Sequence, residues 1–138
     1  MRLNQVTVSA RDLGASIAFY QRLGLRLIVR SERYARFACP DAEGDASPAT
    51  FSLHLDPDAH GVTQTVVYFE DERLDATVDR LTREGVSFEH APVDQPWLWR
   101  EARLLDPSGN LVCLYRAGEM RLDPPWRLRD DDPTVHRE

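Results

Sequence analysis

The chain has 138 residues, 42% of them hydrophobic and 29% charged. These are the proportions of one ordinary globular domain or of two small fused repeats. Its 17 basic residues, every one an arginine, stand against 23 acidic ones for a net charge of −6, which argues against a nucleic-acid partner and excludes lysine Schiff-base chemistry. No apolar run is long enough to span a bilayer, and residues 1–13 lack the apolar core of a secretory signal. A cytoplasmic protein with no membrane partner is therefore expected. Cys39 and Cys113 match no zinc spacing and read as reduced, buried thiols.

Residues 3–10 alternate, with Val6 and Val8 on one side and Gln5, Thr7 and Ser9 on the other. A period of two predicts a strand, and its polar but uncharged second face suits a solvated cavity. Asp12 is placed to cap a helix with apolar positions Leu13, Ile17, Tyr20 and Leu23, which Gly24 closes. Strands are predicted over residues 25–30 and 33–39, an exposed loop over 40–48 and a strand over 50–55. After Gly61 the plan restarts. A strand is predicted over 63–69 and a helix over about 72–84, with Leu74, Val78 and Leu81 on one stripe and Gly85 at its end. Leu13, Ile17, Tyr20 and Gly24 each precede Leu74, Val78, Leu81 and Gly85 by 61 positions. Four matches at one offset point to an internal duplication. Strands over 86–89, 99–105 and 111–115 complete the second half, the last two joined by an Asp-Pro-Ser-Gly-Asn turn at 106–110. Beyond lies a charged, proline-bearing tail, 117–138, whose last third is expected to lack fixed structure. Trp126 within it is expected to dock on a surface or a partner.

The strings LNQVTVSARDLGASIAFYQRLGL, VYFEDERLDATVDRLTREGV and RLLDPSGNLVCLY, in this order, resemble the vicinal oxygen chelate superfamily. Its members include glyoxalases, extradiol dioxygenases, fosfomycin resistance transferases and bleomycin resistance proteins. The resemblance covers residues 1–116 and implies an α+β fold. Two tandem βαβββ modules, 1–57 and 61–116, would form a curled mixed-sheet cup with the helices outside. It further implies a homodimer and a set of positions that usually hold a divalent metal. The first-strand ligand position falls on Gln5, the fifth-strand position on Gln64 and the last-strand position on Cys113. A fourth falls near Ser52, with His54 two residues on and on the same face.

Such metals are held by imidazole nitrogen and carboxylate oxygen. Two amides and one thiol supply neither the charge nor the ligand set, so no metal and no cofactor is expected. Gln5 and Gln64 would instead hydrogen-bond each other or water, and Cys113 reads as a small buried apolar residue. The remaining cup-facing residues suit a small organic ligand. Gln5, Thr7, Ser52, His54 and Gln64 offer donors and acceptors. Tyr68, Trp97, Trp99 and Tyr115 offer aromatic surface, and Arg103 a cation with Glu101 on the same strand face. Three readings stay open. One is a metal-free binding protein of the bleomycin-resistance type. The second is a lyase, dioxygenase or transferase with His54 as its catalytic residue, with or without a divalent metal. The third is a structural module whose cup is filled by its own side chains. His54 itself reads equally well as a hydrogen-bonded structural histidine.

Overall fold

The computed structural model describes residues 3–39, 48–59 and 65–127. The first module runs β1 (Gln5–Ala10), α1 (Leu13–Arg22), β2 (Arg26–Arg30), β3 (Tyr34–Ala38) and β4 (Thr50–Leu55). The second runs β5 (Val66–Glu70), α2 (Leu74–Arg83), β6 (Val93–Asp94), β7 (Arg100–Leu105) and β8 (Leu111–Arg116), followed by a 3-10 turn at Gly118–Arg121. Each module closes one four-stranded mixed sheet, ordered β1-β4-β3-β2 in the first and β5-β8-β7-β6 in the second. The outer pairs β1–β4 and β5–β8 are parallel and the rest antiparallel. The fold class is thus α+β, built of two modules. No helix among the described residues is long and apolar enough to cross a membrane.

Local chemistry accounts for the helix ends. The Asp12 side chain accepts a hydrogen bond from the Ala15 N–H at 2.9 Å, which satisfies one of the unpaired donors at the start of α1. Gly24 and Gly85 follow the two helices at φ +100° and +92°, a left-handed turn that a Cβ would strain. Helix α1 buries Leu13, Ile17, Phe19 and Tyr20, and α2 buries Leu74, Val78 and Leu81. Against them pack Ala35, Phe37, Phe51 and Leu53 of the first sheet and Ala102, Leu104, Val112 and Leu114 of the second.

The duplication extends into the strands. Gln5 pairs with Thr50 and Thr7 with Ser52 in β1–β4; Val66 pairs with Leu111 and Tyr68 with Cys113 in β5–β8. The offset of 61 read from the helices therefore relates Gln5 to Val66, Thr7 to Tyr68, Ser52 to Cys113 and His54 to Tyr115. One expected strand does not form. Residues 86–89 make a single backbone bond to the sheet, from the Glu89 N–H to the Arg103 carbonyl, while Val86 and Phe88 turn into the core. Pro92 carries no N–H to extend that ladder, and the edge strand is β6 instead.

The Asp106–Asn110 turn fastens the modules together. Asp106 Oδ2 accepts the Tyr20 hydroxyl at 2.7 Å, and its Oδ1 accepts the Ser108 and Asn110 N–H groups. Asn110 Nδ2 donates to the Ser9 carbonyl at 2.8 Å, and the Arg11 N–H donates to Ser108 Oγ at 2.8 Å. The Phe51 and Phe69 rings, 5.6 Å apart, extend the contact into the core.

Candidate functional site

Strand alternation gives each sheet one face toward its helix and one face of polar or aromatic side chains. On the first sheet, Gln5 of β1 donates through Nε2 to Ser52 Oγ of β4 at 2.7 Å and to Thr7 Oγ1 at 3.2 Å. Thr50 Oγ1 donates to Gln5 Oε1. Ser52 is fully buried and also bonds the Tyr34 hydroxyl of β3 at 2.8 Å. Arg36 Nε donates to that hydroxyl at 2.8 Å, and its guanidinium lies 5.4 Å from the Tyr34 ring centre. Burial works to raise the Tyr34 phenol, but the Ser52 bond and the Arg36 bond and charge outweigh it and hold the phenol below its ordinary value. The network is closed on itself, since each hydroxyl and amide in it has a partner. His54 shares this face but is exposed, and no hydrogen bond to another described residue reaches its ring. Gln64 lies outside the described residues; in the β5–β8 register the counterpart of Gln5 is Val66, a hydrocarbon.

The second sheet presents a different surface. Trp99 and Tyr115 stack at 4.8 Å and 25°, and the Tyr68 ring stands edge-on to both at 5.9 and 5.6 Å. Glu101 of β7 faces Tyr115 of β8 in register, and Arg103 faces Cys113. The Glu101 carboxylate is fully buried. Its Oε1 accepts the Trp97 indole N–H at 2.7 Å. Its Oε2 has no hydrogen-bond partner and stands 3.5 Å from Arg103 Nε. Arg103 Nη2 reaches the Tyr68 hydroxyl at 3.4 Å. Burial first, then the Glu101 carboxylate, pushes the Cys113 thiol up to about 12. Burial likewise raises the Tyr68 and Tyr115 phenols. Trp97 reaches Glu101 because the β6–β7 hairpin turns tightly: the Leu98 N–H bonds the Gln95 carbonyl at 2.9 Å. Leu98 sits at φ 67°, a conformation that favours glycine.

The expected residues thus fall on two networks. Gln5, Thr7 and Ser52 are joined on the first sheet. Tyr68, Trp97, Arg103 and Cys113 cluster on the second with Trp99, whose indole N–H also bonds the Met120 carbonyl at 3.4 Å. Among the described residues no hydrogen bond or ion pair joins the two networks. Tyr34 and Arg36 were missed by sequence reading, although alternation along β3 sets them on one face; their partner Ser52 emerges only from the β3–β4 register. A cleft of about 290 Å³ opens between the edges of β1 and β5, lined by Val6, Thr7, Val8, Ser9, Val67 and Asn110 among others; Thr7 ties it to the first network, and no residue of the second network lines it.

The described metal positions, Gln5 and Cys113, do not fit a divalent ion. Gln5 is engaged by Thr50 and Ser52, and a thiol near 12 at Cys113 stays protonated at neutral pH, where a ligand must be a thiolate; Gln64, the fifth-strand position, lies outside the described residues. Among the described residues no group of three or more histidine, cysteine, aspartate or glutamate side chains is arranged to hold a metal.

Comparison with known proteins adds the following. The profile of the Glyoxalase/Bleomycin resistance protein/Dioxygenase superfamily matches residues 2–114. Among solved structures, the chain is similar to a glyoxalase/bleomycin resistance protein/dioxygenase from Nocardioides, with 23% identity, coverage of 94% of this chain and 90% of the other, and a TM-score of 0.70. It is similar to a bleomycin-binding protein complexed with bleomycin, at 21% identity, coverage of 84% and 98%, and a TM-score of 0.66. A lactoylglutathione lyase from Agrobacterium tumefaciens follows at 18% identity, coverage of 83% and 92%, and a TM-score of 0.64. No curated protein matches the sequence. At these identities the structural likeness bears on the fold.

Proposed function

The chain belongs to the Glyoxalase/Bleomycin resistance protein/Dioxygenase superfamily, and from that premise we propose that it is a small-molecule binding protein holding a partly aromatic organic ligand without a catalytic metal. The observation that carries the reading is the second-sheet surface. The exposed Tyr68 and half-buried Trp99, backed by the buried Tyr115, form an aromatic cluster beside the Arg103–Glu101 pair. An apolar surface with a few placed polar groups is what a small-molecule site requires. The misfit of Gln5 and Cys113 to a divalent ion supports the metal-free part. The bleomycin-binding relative lends it a precedent on the same fold. A cytoplasmic homodimer is part of the proposal, with the exposed Trp126 and Leu122 as candidate apolar seam.

The test is calorimetric titration of the purified protein with a panel of aromatic small molecules, with and without EDTA, alongside elemental analysis of the same sample. Saturable binding that EDTA leaves unchanged is expected. Stoichiometric, tightly held metal, or no saturable ligand across the panel, overturns the proposal.

A further inference from the structure

Glu101 is the one described side chain with a buried oxygen or nitrogen that lacks a hydrogen-bond partner. A buried carboxylate oxygen left unmatched is unfavourable, and natural structures retain such atoms where something else completes them. The surroundings say what that something is. Oε1 already accepts an N–H from a planar heteroaromatic ring, the Trp97 indole, at 2.7 Å. Arg103 stands against Oε2 at ion-pair distance. The pair as a whole carries no net charge; a cationic group would meet the guanidinium and an anionic group the carboxylate. A neutral group with an N–H donor next to a carbonyl acceptor satisfies both at once. Trp99, half-buried and stacked on the buried Tyr115 that lies opposite Glu101 in register, supplies the face for a flat ring.

Resting on the small-molecule reading above, we infer that Glu101 and Arg103 recognise the lactam edge of a planar, neutral heteroaromatic ligand. Glu101 Oε2 takes the ligand N–H and Arg103 donates to the adjacent carbonyl. Because Glu101 is covered in the structure, the ligand reaches it when the Trp97 side chain swings aside. Trp97 is placed for that: it is 41% exposed, at the tip of a hairpin whose next residue is the left-handed Leu98.

The experiment compares 2-quinolone with 1-methyl-2-quinolone, which keeps the ring and the carbonyl and loses the N–H, by calorimetry on the full chain. The expected result is at least about tenfold tighter binding of the N–H compound, the ratio that one hydrogen bond to a charged group commands. Glu101→Gln removes the carboxylate charge that strengthens the bond to the ligand N–H and replaces one acceptor oxygen with an NH₂ donor. The preference should then vanish. Equal affinities in the wild type overturn the lactam edge while leaving small-molecule binding intact. Binding of neither compound, or a preference that Glu101→Gln retains, overturns it as well. The wild-type comparison alone decides should the variant not fold.

Discussion

Cys113 offers the sharpest check on whether the last-strand ligand position has lost its chemistry. Its thiol is fully buried and pushed up to about 12, by burial and then by the Glu101 carboxylate. At pH 8 a thiol of ordinary value 9.0 is about one-tenth ionised, whereas one at about 12 is ionised in about one molecule in 10⁴. Alkylation proceeds through the thiolate, so Cys113 should react with iodoacetamide about a thousandfold more slowly than an ordinary thiol. The assay is peptide mass spectrometry after timed labelling, with a Cys39→Ser variant isolating the site. The Cys113 rate should still be rising at pH 10 without a plateau. Stability carries the same signature. Below pH 9 both folded and unfolded thiols hold their protons and nothing changes. Between 9 and about 12 the unfolded chain releases its proton and the folded chain does not. Unfolding is then favoured by about 1.4 kcal/mol per pH unit. Subtracting the alkaline limb of Cys113→Ala cancels the contributions of the raised tyrosines. A labelling plateau at or below pH 9, or a Cys113→Ala curve parallel to the wild type, refutes the reasoning.

Tyr20→Phe removes one charge-assisted hydrogen bond to the buried Asp106 and keeps the ring among Phe19, Phe37, Phe51 and Phe69. Urea denaturation should show a loss of about 1.5–3 kcal/mol at unchanged m value; a loss under about 0.5 kcal/mol would remove the turn as an inter-module fastening. Leu98→Gly relieves a left-handed residue on an exposed hairpin. A gain of about 0.5–1 kcal/mol in thermal unfolding is expected, the strain relieved less the extra unfolded-state freedom of glycine. Trp99→Leu removes one ring of the stacked pair with Tyr115, and calorimetry should find aromatic ligands bound about tenfold more weakly. His54→Ala should leave affinity within about twofold, since the imidazole is exposed and stands on the other sheet; a loss of turnover with binding retained would favour an enzyme.

The sequence made the modules legible because their signals are periodic. Strand β4 at Thr50–Leu55, both helices with their closing glycines, and the 61-residue repeat follow from spacing alone. Residues 86–89 escaped that logic: Val86 and Phe88 alternate as a strand would, yet whether a ladder forms depends on the neighbour, and β7 offers them one bond. The site was legible by face and not by partner. Alternation put Gln5 with Thr7 and Ser52 with His54. Which hydroxyl met which amide waited on the pairing register. Glu101 is the extreme case. A charged residue beside an arginine reads as a solvated surface pair, and only the packing of Trp97 and the opposing Tyr115 shows it to be buried.

The duplication makes the contrast between the two sheets informative, because it supplies an internal comparison at matched positions. Ser52 and Cys113 are counterparts, and so are Thr7 and Tyr68, and His54 and Tyr115. In the first module these positions are small or polar, and apart from the exposed His54 their hydrogen bonds are met within the sheet: Gln5 to Ser52, Ser52 to Tyr34, Tyr34 to Arg36. A network so completed offers an incoming molecule little it does not already have. In the second module the same positions carry hydrocarbon, thiol and two aromatic rings, and the charged pair beside them ends in an unmatched carboxylate oxygen. Polar groups already bonded within the protein gain little from a ligand, whereas a buried acceptor without a hydrogen bond gains from one that supplies a donor. On that ground the ligand proposed above would contact the second module more than the first. Substitutions at Tyr68, Glu101, Arg103 and Tyr115 should therefore move affinity more than those at Gln5, Thr7 and Ser52. A calorimetric scan in which the first-sheet residues dominate would reverse the assignment.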